Sequence, residues 1–108
     1  MHFECTYEKH AGAVVVTPLG DVDRDTAPRL REVLTEAVNG AGDLPVDVSL
    51  RHVTFMDSSG IGALLAGHRA ATARGVPYAI KETPPSVRAI LEITNVWELL
   101  TATGDHPS

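Results

Sequence analysis

The chain lacks the features that would place it in a membrane, outside the cell or on nucleic acid. Its 108 residues contain one cysteine, Cys5, so no internal disulfide can form, and the cytoplasm is the expected location. No apolar run approaches the roughly 18 residues of a membrane span, and residues 1–4 do not resemble the start of a secretory signal. The formal net charge of −5 argues against nucleic acid as a partner, because phosphates require a basic surface.

What the chain does contain is the pattern of one α/β domain over residues 1–108. Period-two alternation predicts strands, and helical spacing of apolar residues predicts helices. The strands are expected at 3–8, 13–18, 45–50 and 76–81, and the helices at 28–38, at 63–73 and after the prolines at 84 and 85. Residues 96–103 are expected to form a helical turn or a final edge strand, and residues 104–108 a disordered tail. Cys5 falls in an alternating segment and is expected to be a buried packing residue.

The order of these elements predicts the sheet. Two strand–helix–strand crossovers make parallel neighbours, and the hairpin of the first two strands adds an antiparallel strand, so a mixed sheet of four to five strands is expected. The third and fourth predicted strands alternate between apolar and polar residues instead of running apolar throughout. This pattern indicates helices packed mainly on one face of the sheet.

Acidic and hydroxyl side chains follow two of the predicted strands. Asp21 and Asp23 come after the second strand, and Asp57, Ser58 and Ser59 come after the third. Partners and ligands gather at the carboxyl ends of parallel strands, so these residues share one rim if the two strands are neighbours. A simpler interpretation stays open at both places, in which Asp23 or Asp25 caps the first helix and Asp57 or Ser58 caps the second.

The segment at residues 53–62, Val-Thr-Phe-Met-Asp-Ser-Ser-Gly-Ile-Gly, carries the strongest signal. An acid and two serines are typical of a helix N-terminus, yet Gly60 and Gly62 follow at once. Each glycine inside a helix costs about 1 kcal/mol relative to alanine. Capping explains the serines but not the glycines, so we expect bare backbone here that a partner approaches closely.

Residues 55–62, Phe-Met-Asp-Ser-Ser-Gly-Ile-Gly, resemble the signature of the STAS domain, specifically that of the bacterial anti-sigma factor antagonists. The likeness extends to Leu-Gly-Asp-Val-Asp at 19–23 and to Thr-Pro-Pro-Ser-Val at 83–87. It implies that Ser58 is phosphorylated by a partner that is both an anti-sigma factor and a serine kinase. It also implies that the unmodified domain binds this partner and frees the sigma factor, that phosphorylation abolishes binding, and that a separate serine phosphatase restores it. Asp23 matches a family aspartate implicated in partner contact and in the phosphorylation reaction.

The partner-binding surface is therefore expected around Ser58. A phosphate there adds about −1.5 to −2 charges at a helix N-terminus, which tolerates an anion, so the fold should persist while affinity is lost at the interface. The residues expected to contact the partner are Asp21, Asp23, Phe55, Met56, Asp57, Ser58, Ser59, Gly60, Ile61 and Gly62. Ile61 also suits the core.

Catalytic functions fit the residues less well. Asp21 and Asp23 form an Asp-x-Asp like that of haloacid-dehalogenase-type phosphatases, but the chain is short for the remaining elements of such an enzyme. The sequence has no Gly-x-Ser-x-Gly elbow of a serine hydrolase, and its five histidines have no metal-ligand spacing. We therefore expect no enzyme activity, no metal and no cofactor.

Two further points stay open within the STAS fold. Some STAS domains are accessory subunits of transport systems that dock on an ATPase or permease without a phosphorylation switch, and this is the alternative function. The sequence contains no glycine-rich loop of the kind that binds phosphate, so it gives no indication of a nucleotide site. Either a monomer or a weak dimer is compatible with the sequence.

Overall fold

The computed structural model describes residues 3–101, and the tail expected at 104–108 lies outside them. Within this range the chain forms five strands and four helices. The strands are β1 (Phe3–His10), β2 (Ala13–Val22), β3 (Val46–Ser49), β4 (His52–Met56) and β5 (Tyr78–Lys81). The helices are α1 (Ala27–Asn39), α2 (Ser58–Arg74), α3 (Pro85–Ile93) and α4 (Trp97–Thr101). None of these helices is both long and apolar enough to cross a membrane.

The sheet is organised around β2. On one edge β1 runs antiparallel to it, from Phe3 opposite Gly20 to His10 opposite Ala13. Because that edge is occupied, β3 and β4 share the other edge, one after the other and both parallel to β2. β5 continues the sheet beyond β3, also in parallel. The predicted mixed sheet of four to five strands is confirmed, with five strands.

Strand β4 is the element that the sequence analysis missed, because it assigned no strand or helix to residues 51–56. The register between β2 and β4 shifts midway, and Thr54 is left without an opposite residue. This bulge makes Thr54 and Phe55 both exposed, between the buried Val53 and Met56. A bulge of this kind removes the period-two alternation by which a strand is recognised in a sequence.

The helices cover mainly one face of the sheet, as the alternation indicated. Val16, Val48 and Ile80 lie side by side across β2, β3 and β5, and all three are buried. Val15 and its neighbour Asp47 point to the opposite face and are only half-buried. The first row therefore forms the floor on which the helices pack, and α1 packs closely against α2 above it.

Helix α2 begins five residues earlier than the predicted start at residue 63. It runs from Ser58 to Arg74 and ends at Gly75, whose φ of 69° is the left-handed conformation typical of a helix C-terminus. The predicted start at residue 63 was wrong, although the acid and the serines had indicated a helix N-terminus just before the two glycines. In the structure they belong to its first turns.

A buried tyrosine fixes α2 to the sheet. The Tyr78 hydroxyl donates a hydrogen bond of 2.9 Å to the carbonyl oxygen of Leu64 in α2. Gly67 makes room for this ring, because a Cβ at that position would lie 2.5 Å from the Tyr78 hydroxyl oxygen. Burial raises the pKa of Tyr78 above its ordinary value. The hydroxyl therefore stays protonated and serves as a structural donor.

Two smaller expectations are also settled. Cys5 lies in the core, and burial raises the pKa of its thiol to about 12, an effect that the charge of Arg29 only partly opposes. Cys5 is therefore a packing residue, as predicted. The described part of the 96–103 segment is the short helix α4, so the helical alternative is confirmed and the edge strand is wrong.

Candidate functional site

Asp57 joins the end of the sheet to the start of α2. Its backbone N–H donates to the Val22 carbonyl oxygen at 3.2 Å, which ties it to the last residue of β2. Its own backbone is extended, and its carboxylate accepts from the N–H groups of Ser59 at 2.8 Å and Gly60 at 3.3 Å. Asp57 is thus the N-cap of α2, and the capping interpretation holds for this residue.

Ser58 is the first residue of α2 and is exposed. Ser59, one residue further on, is half-buried. Of the two neighbouring hydroxyls, that of Ser58 is the more open to a second protein. This placement meets the main geometric requirement for a phosphoacceptor.

Asp23 organises the turn between β2 and α1. Its Oδ1 atom accepts hydrogen bonds from the N–H of Asp25 at 3.0 Å and from the N–H of Thr26 at 3.2 Å. The Thr26 hydroxyl in turn donates to the carbonyl oxygen of Asp21 at 2.8 Å. The capping role expected for Asp23 is not observed, because the N-cap of α1 is Thr26 and no side chain caps this helix. The Asp23 carboxylate instead holds the turn that leads into α1.

Asp21 lies within β2, whereas the sequence analysis placed it in the following loop. The bulge residue Thr54 donates its hydroxyl to Asp21 Oδ1 at 2.6 Å. Asp21 also stands opposite Phe55 of β4. The extra residue in β4 thus orients this carboxylate, a contact between residues 33 positions apart.

The predicted rim is brought together by the pairing of β2 with β4. Val22 stands between Asp21 and Asp23 in the chain, lies opposite Met56 and bonds to Asp57. The three carboxylates therefore lie on adjoining segments at the ends of β2 and β4, and we call Asp21, Asp23 and Asp57 the acidic rim. Phe55, with 51% of its surface exposed, adds an apolar group beside it.

Three residues of the predicted contact surface lie in the interior instead. Met56 and Ile61 are 4% and 6% exposed, and Gly60 is buried. A Cβ on Gly60 would lie 2.6 Å from Met56 Cγ and 2.8 Å from Val22 Cγ1. The expectation that Gly60 leaves room for a partner is therefore corrected. This glycine is required by the packing of α2 on β2 and β4, and we assign Met56 and Ile61 to the same packing.

Gly62 has the opposite environment. It is exposed, and a Cβ at this position would meet no atom within 4 Å. It borders a groove of about 490 Å³ between the start of α1 and the outer side of α2. Arg24, Arg31 and Arg69 also line the groove.

The sequence analysis did not identify this groove. Its lining residues come from two segments that are distant in the chain, and a net charge of −5 gives no sign of a local basic surface.

Over residues 3–101, no group of three or more His, Cys, Asp or Glu side chains could hold a metal ion.

The sequence also matches a known protein family. The family described as "Mlab, STAS domain" matches residues 5–101. The chain belongs to the STAS domain family. Among curated proteins it is 26% identical over 100 residues to the anti-sigma F factor antagonist of Paenibacillus polymyxa, covering 93% of this chain and 86% of that protein.

Solved structures share the fold at lower identity. An anti-sigma factor antagonist from Mycobacterium paratuberculosis superposes with a TM-score of 0.78 at 23% identity, covering 92% of this chain and 83% of that one. The anti-sigma factor antagonist SpoIIAA in its unphosphorylated form superposes with a TM-score of 0.75 at 20% identity, covering 92% of this chain and 86% of that one. The Bacillus cell fate determinant SpoIIAA in its phosphorylated form superposes with a TM-score of 0.67 at 20% identity, covering 94% of this chain and 89% of that one. The STAS fold inferred from the sequence is thus confirmed.

Proposed function

We propose that this chain is an anti-sigma factor antagonist regulated by phosphorylation of Ser58. The unphosphorylated form binds an anti-sigma factor that is also a serine kinase and so releases the sigma factor. The observation that carries the proposal is the exposed Ser58 hydroxyl at the first position of α2 in a STAS domain. A relative named as an anti-sigma F factor antagonist, and a neighbour of known structure in both phosphorylation states, support it.

Hydrogen bonds at the start of α2 favour an effect of the phosphate on the partner and not on the fold. Asp57 already accepts from the N–H groups of Ser59 and Gly60. A phosphate on Ser58 cannot take these two donors without displacing the cap. Because Ser58 is exposed, the modified side chain can instead stay in solvent and leave the helix start intact.

The charge of that phosphate then acts at the interface. It adds about −1.5 to −2 charges beside the acidic rim. A partner surface that accommodates three carboxylates and a neutral hydroxyl meets a much more negative surface after modification. Like charges brought together at an interface cost several kcal/mol, and about 2.8 kcal/mol is a hundredfold in affinity.

The remaining parts of the proposal follow from this switch. Asp23 contacts the partner in addition to holding its turn, and a separate serine phosphatase removes the phosphate and restores binding. The chain acts as a binding protein and not as an enzyme, in the cytoplasm, where its single thiol stays reduced.

Capture of partners on immobilised protein, followed by mass spectrometry, tests the proposal. Wild type and Ser58→Ala are expected to retain an anti-sigma factor from a lysate of the source cells, and Ser58→Asp to retain much less. Incubation with ATP and the captured kinase should phosphorylate wild type and the control Ser59→Ala, but not Ser58→Ala. Phosphate incorporated by a folded Ser58→Ala protein would refute the assignment of Ser58. Capture of a transport ATPase or permease, equally by wild type and Ser58→Asp, would favour the accessory-subunit alternative.

A further inference from the structure

The basic groove beside Ser58 is unusual for a chain with a net charge of −5. It lies between the turn that carries Arg24, the helix α1 that carries Arg31, and the outer side of α2 that carries Arg69. These are three of the nine lysine and arginine residues of the whole chain. Among the residues that the structure describes, no aspartate or glutamate lines the groove, so its charged lining is basic.

Within the described residues, the three groove arginines have no acidic partner, a property they share with Arg74. Arg29, Arg51 and Arg88 each form a salt bridge with a glutamate. Within residues 3–101, no salt bridge or hydrogen bond involves the guanidinium group of Arg24, Arg31 or Arg69, although the Arg31 carbonyl oxygen accepts from the Thr35 hydroxyl. All three are exposed. Their guanidinium groups are therefore available to an external anion.

The shape of the groove indicates an extended ligand. Gly62 and Arg69 are seven residues apart in α2, which corresponds to about 10 Å along the helix axis. Arg24 lies before α1, Arg31 in α1 and Arg69 well along α2, so the charges stand at three separate places of the groove, which suits several negative groups in series. At Gly62 no side chain fills the space, so the backbone of a bound segment can come close to α2.

The chemistry favours carboxylates over a nucleotide phosphate. Phosphate sites at helix N-termini use free backbone N–H groups. At the start of α2 those of Ser59 and Gly60 already donate to Asp57. What the groove offers is arginine side chains, whose planar guanidinium groups pair with carboxylates and phosphates alike through two parallel hydrogen bonds. The preference for carboxylates therefore rests on the occupied N–H groups of Ser59 and Gly60 and on the protein partner expected beside the groove.

We propose that this groove binds an acidic segment of the same partner that docks at Ser58. The inference rests on the proposed function, and the two sites are continuous because Ser59 lines the groove directly after Ser58. The docking surface then carries both negative and positive charge, because the acidic rim lies near the start of α2 and the arginines lie along its outer side. Opposite charges in a fixed arrangement orient the partner and favour its approach.

The first measurement uses a defined probe on the intact chain. A peptide of repeated Glu-Glu-Ala units, titrated at low salt, is expected to shift the amide NMR signals of Gly62 and Ala63 and the side-chain signals of Arg31 and Arg69. The matched Lys-Lys-Ala peptide is expected to leave them unchanged. Absence of these shifts, or larger shifts with ATP than with the acidic peptide at equal ionic strength, overturns the proposal.

The second measurement uses the partner captured by the wild-type protein. Arg31→Glu and Arg69→Glu are each expected to weaken its binding about tenfold, because a carboxylate then faces the acidic segment. Arg74→Glu is the control, since Arg74 is an exposed residue of α2 that does not line the groove. The loss should shrink as salt is raised.

The outcomes separate the two proposals. If phosphorylation of Ser58 releases the partner while Arg31→Glu and Arg69→Glu bind it as tightly as wild type, the groove proposal fails and the proposed function stands. If no form of the chain captures an anti-sigma factor, the proposed function fails, and the peptide titration alone decides whether the groove takes carboxylates.

Discussion

Two glycines in the first turns of α2, only two positions apart, have opposite surroundings. Gly60 faces the sheet, where Met56 and Val22 leave no space for even one additional carbon. Gly62 faces outward, where nothing lies within 4 Å of the position that a Cβ would take. The inner side of this helix start is thus determined by packing, whereas its outer side is free for binding.

The motif at residues 55–62 therefore meets two separate requirements, packing on the inner side of the helix start and binding on its outer side. The inner residues bring α2 close to β2 and β4, which sets the position of Asp57 and hence of Ser58. The outer residues can change without disturbing that position. The short motif therefore encodes both the placement of the phosphoacceptor and the surface around it.

The largest effect is expected from Gly60→Ala. The added methyl group would overlap Met56 Cγ and the buried Val22 Cγ1, so one of these elements must move. Overpacking of this kind lowers the free energy of unfolding by about 1–3 kcal/mol, partly offset by the better helix propensity of alanine. Urea denaturation of Gly60→Ala and wild type measures the change. An unchanged midpoint would mean that the inner side is less tightly packed than the distances indicate.

A smaller effect on stability is expected at Asp57, where the inner and outer sides of the helix start meet. Asp57→Ala removes the acceptor of the Ser59 and Gly60 N–H groups and should cost about 1 kcal/mol of stability. Asp57→Asn keeps an acceptor and should fold nearly as well as wild type, while it removes one charge of the acidic rim. Thermal denaturation compares the variants. Equal losses in both would show that charge at this position, and not capping, stabilises the helix.

Much of this fold could be predicted from local patterns, and its failures have local causes. Strands β1, β2, β3 and β5 were recognised by period-two alternation, and Asp23 and Asp57 follow strand ends, whereas Asp21 lies within β2. Strand β4 escaped because Thr54 is an extra residue, which places two exposed side chains in succession. The start of α2 was misplaced because glycine is a poor helix former, although Asp57 supplies a regular cap.

The environment of each site residue depended on tertiary contacts. Nothing in the sequence near Gly60 indicates that Val22, 38 positions earlier, fills the space beside it. The arginine groove likewise arises because α1 packs on α2, which brings residues 24, 31 and 69 to the same groove. Sequence patterns predicted which residues surround Ser58, but not which of them point inward.

The last prediction concerns the outer glycine and has the smallest effect on stability. Gly62→Ala places a methyl group in open space within a helix, so the free energy of unfolding should rise by up to about 1 kcal/mol. The same methyl group narrows the groove where we expect the acidic segment to approach, so affinity for the captured partner should fall. Denaturation and a binding titration of one variant thus change in opposite directions. If stability rises and affinity stays the same, the partner does not approach α2 at Gly62, and its contacts are confined to the rim and the exposed Ser58.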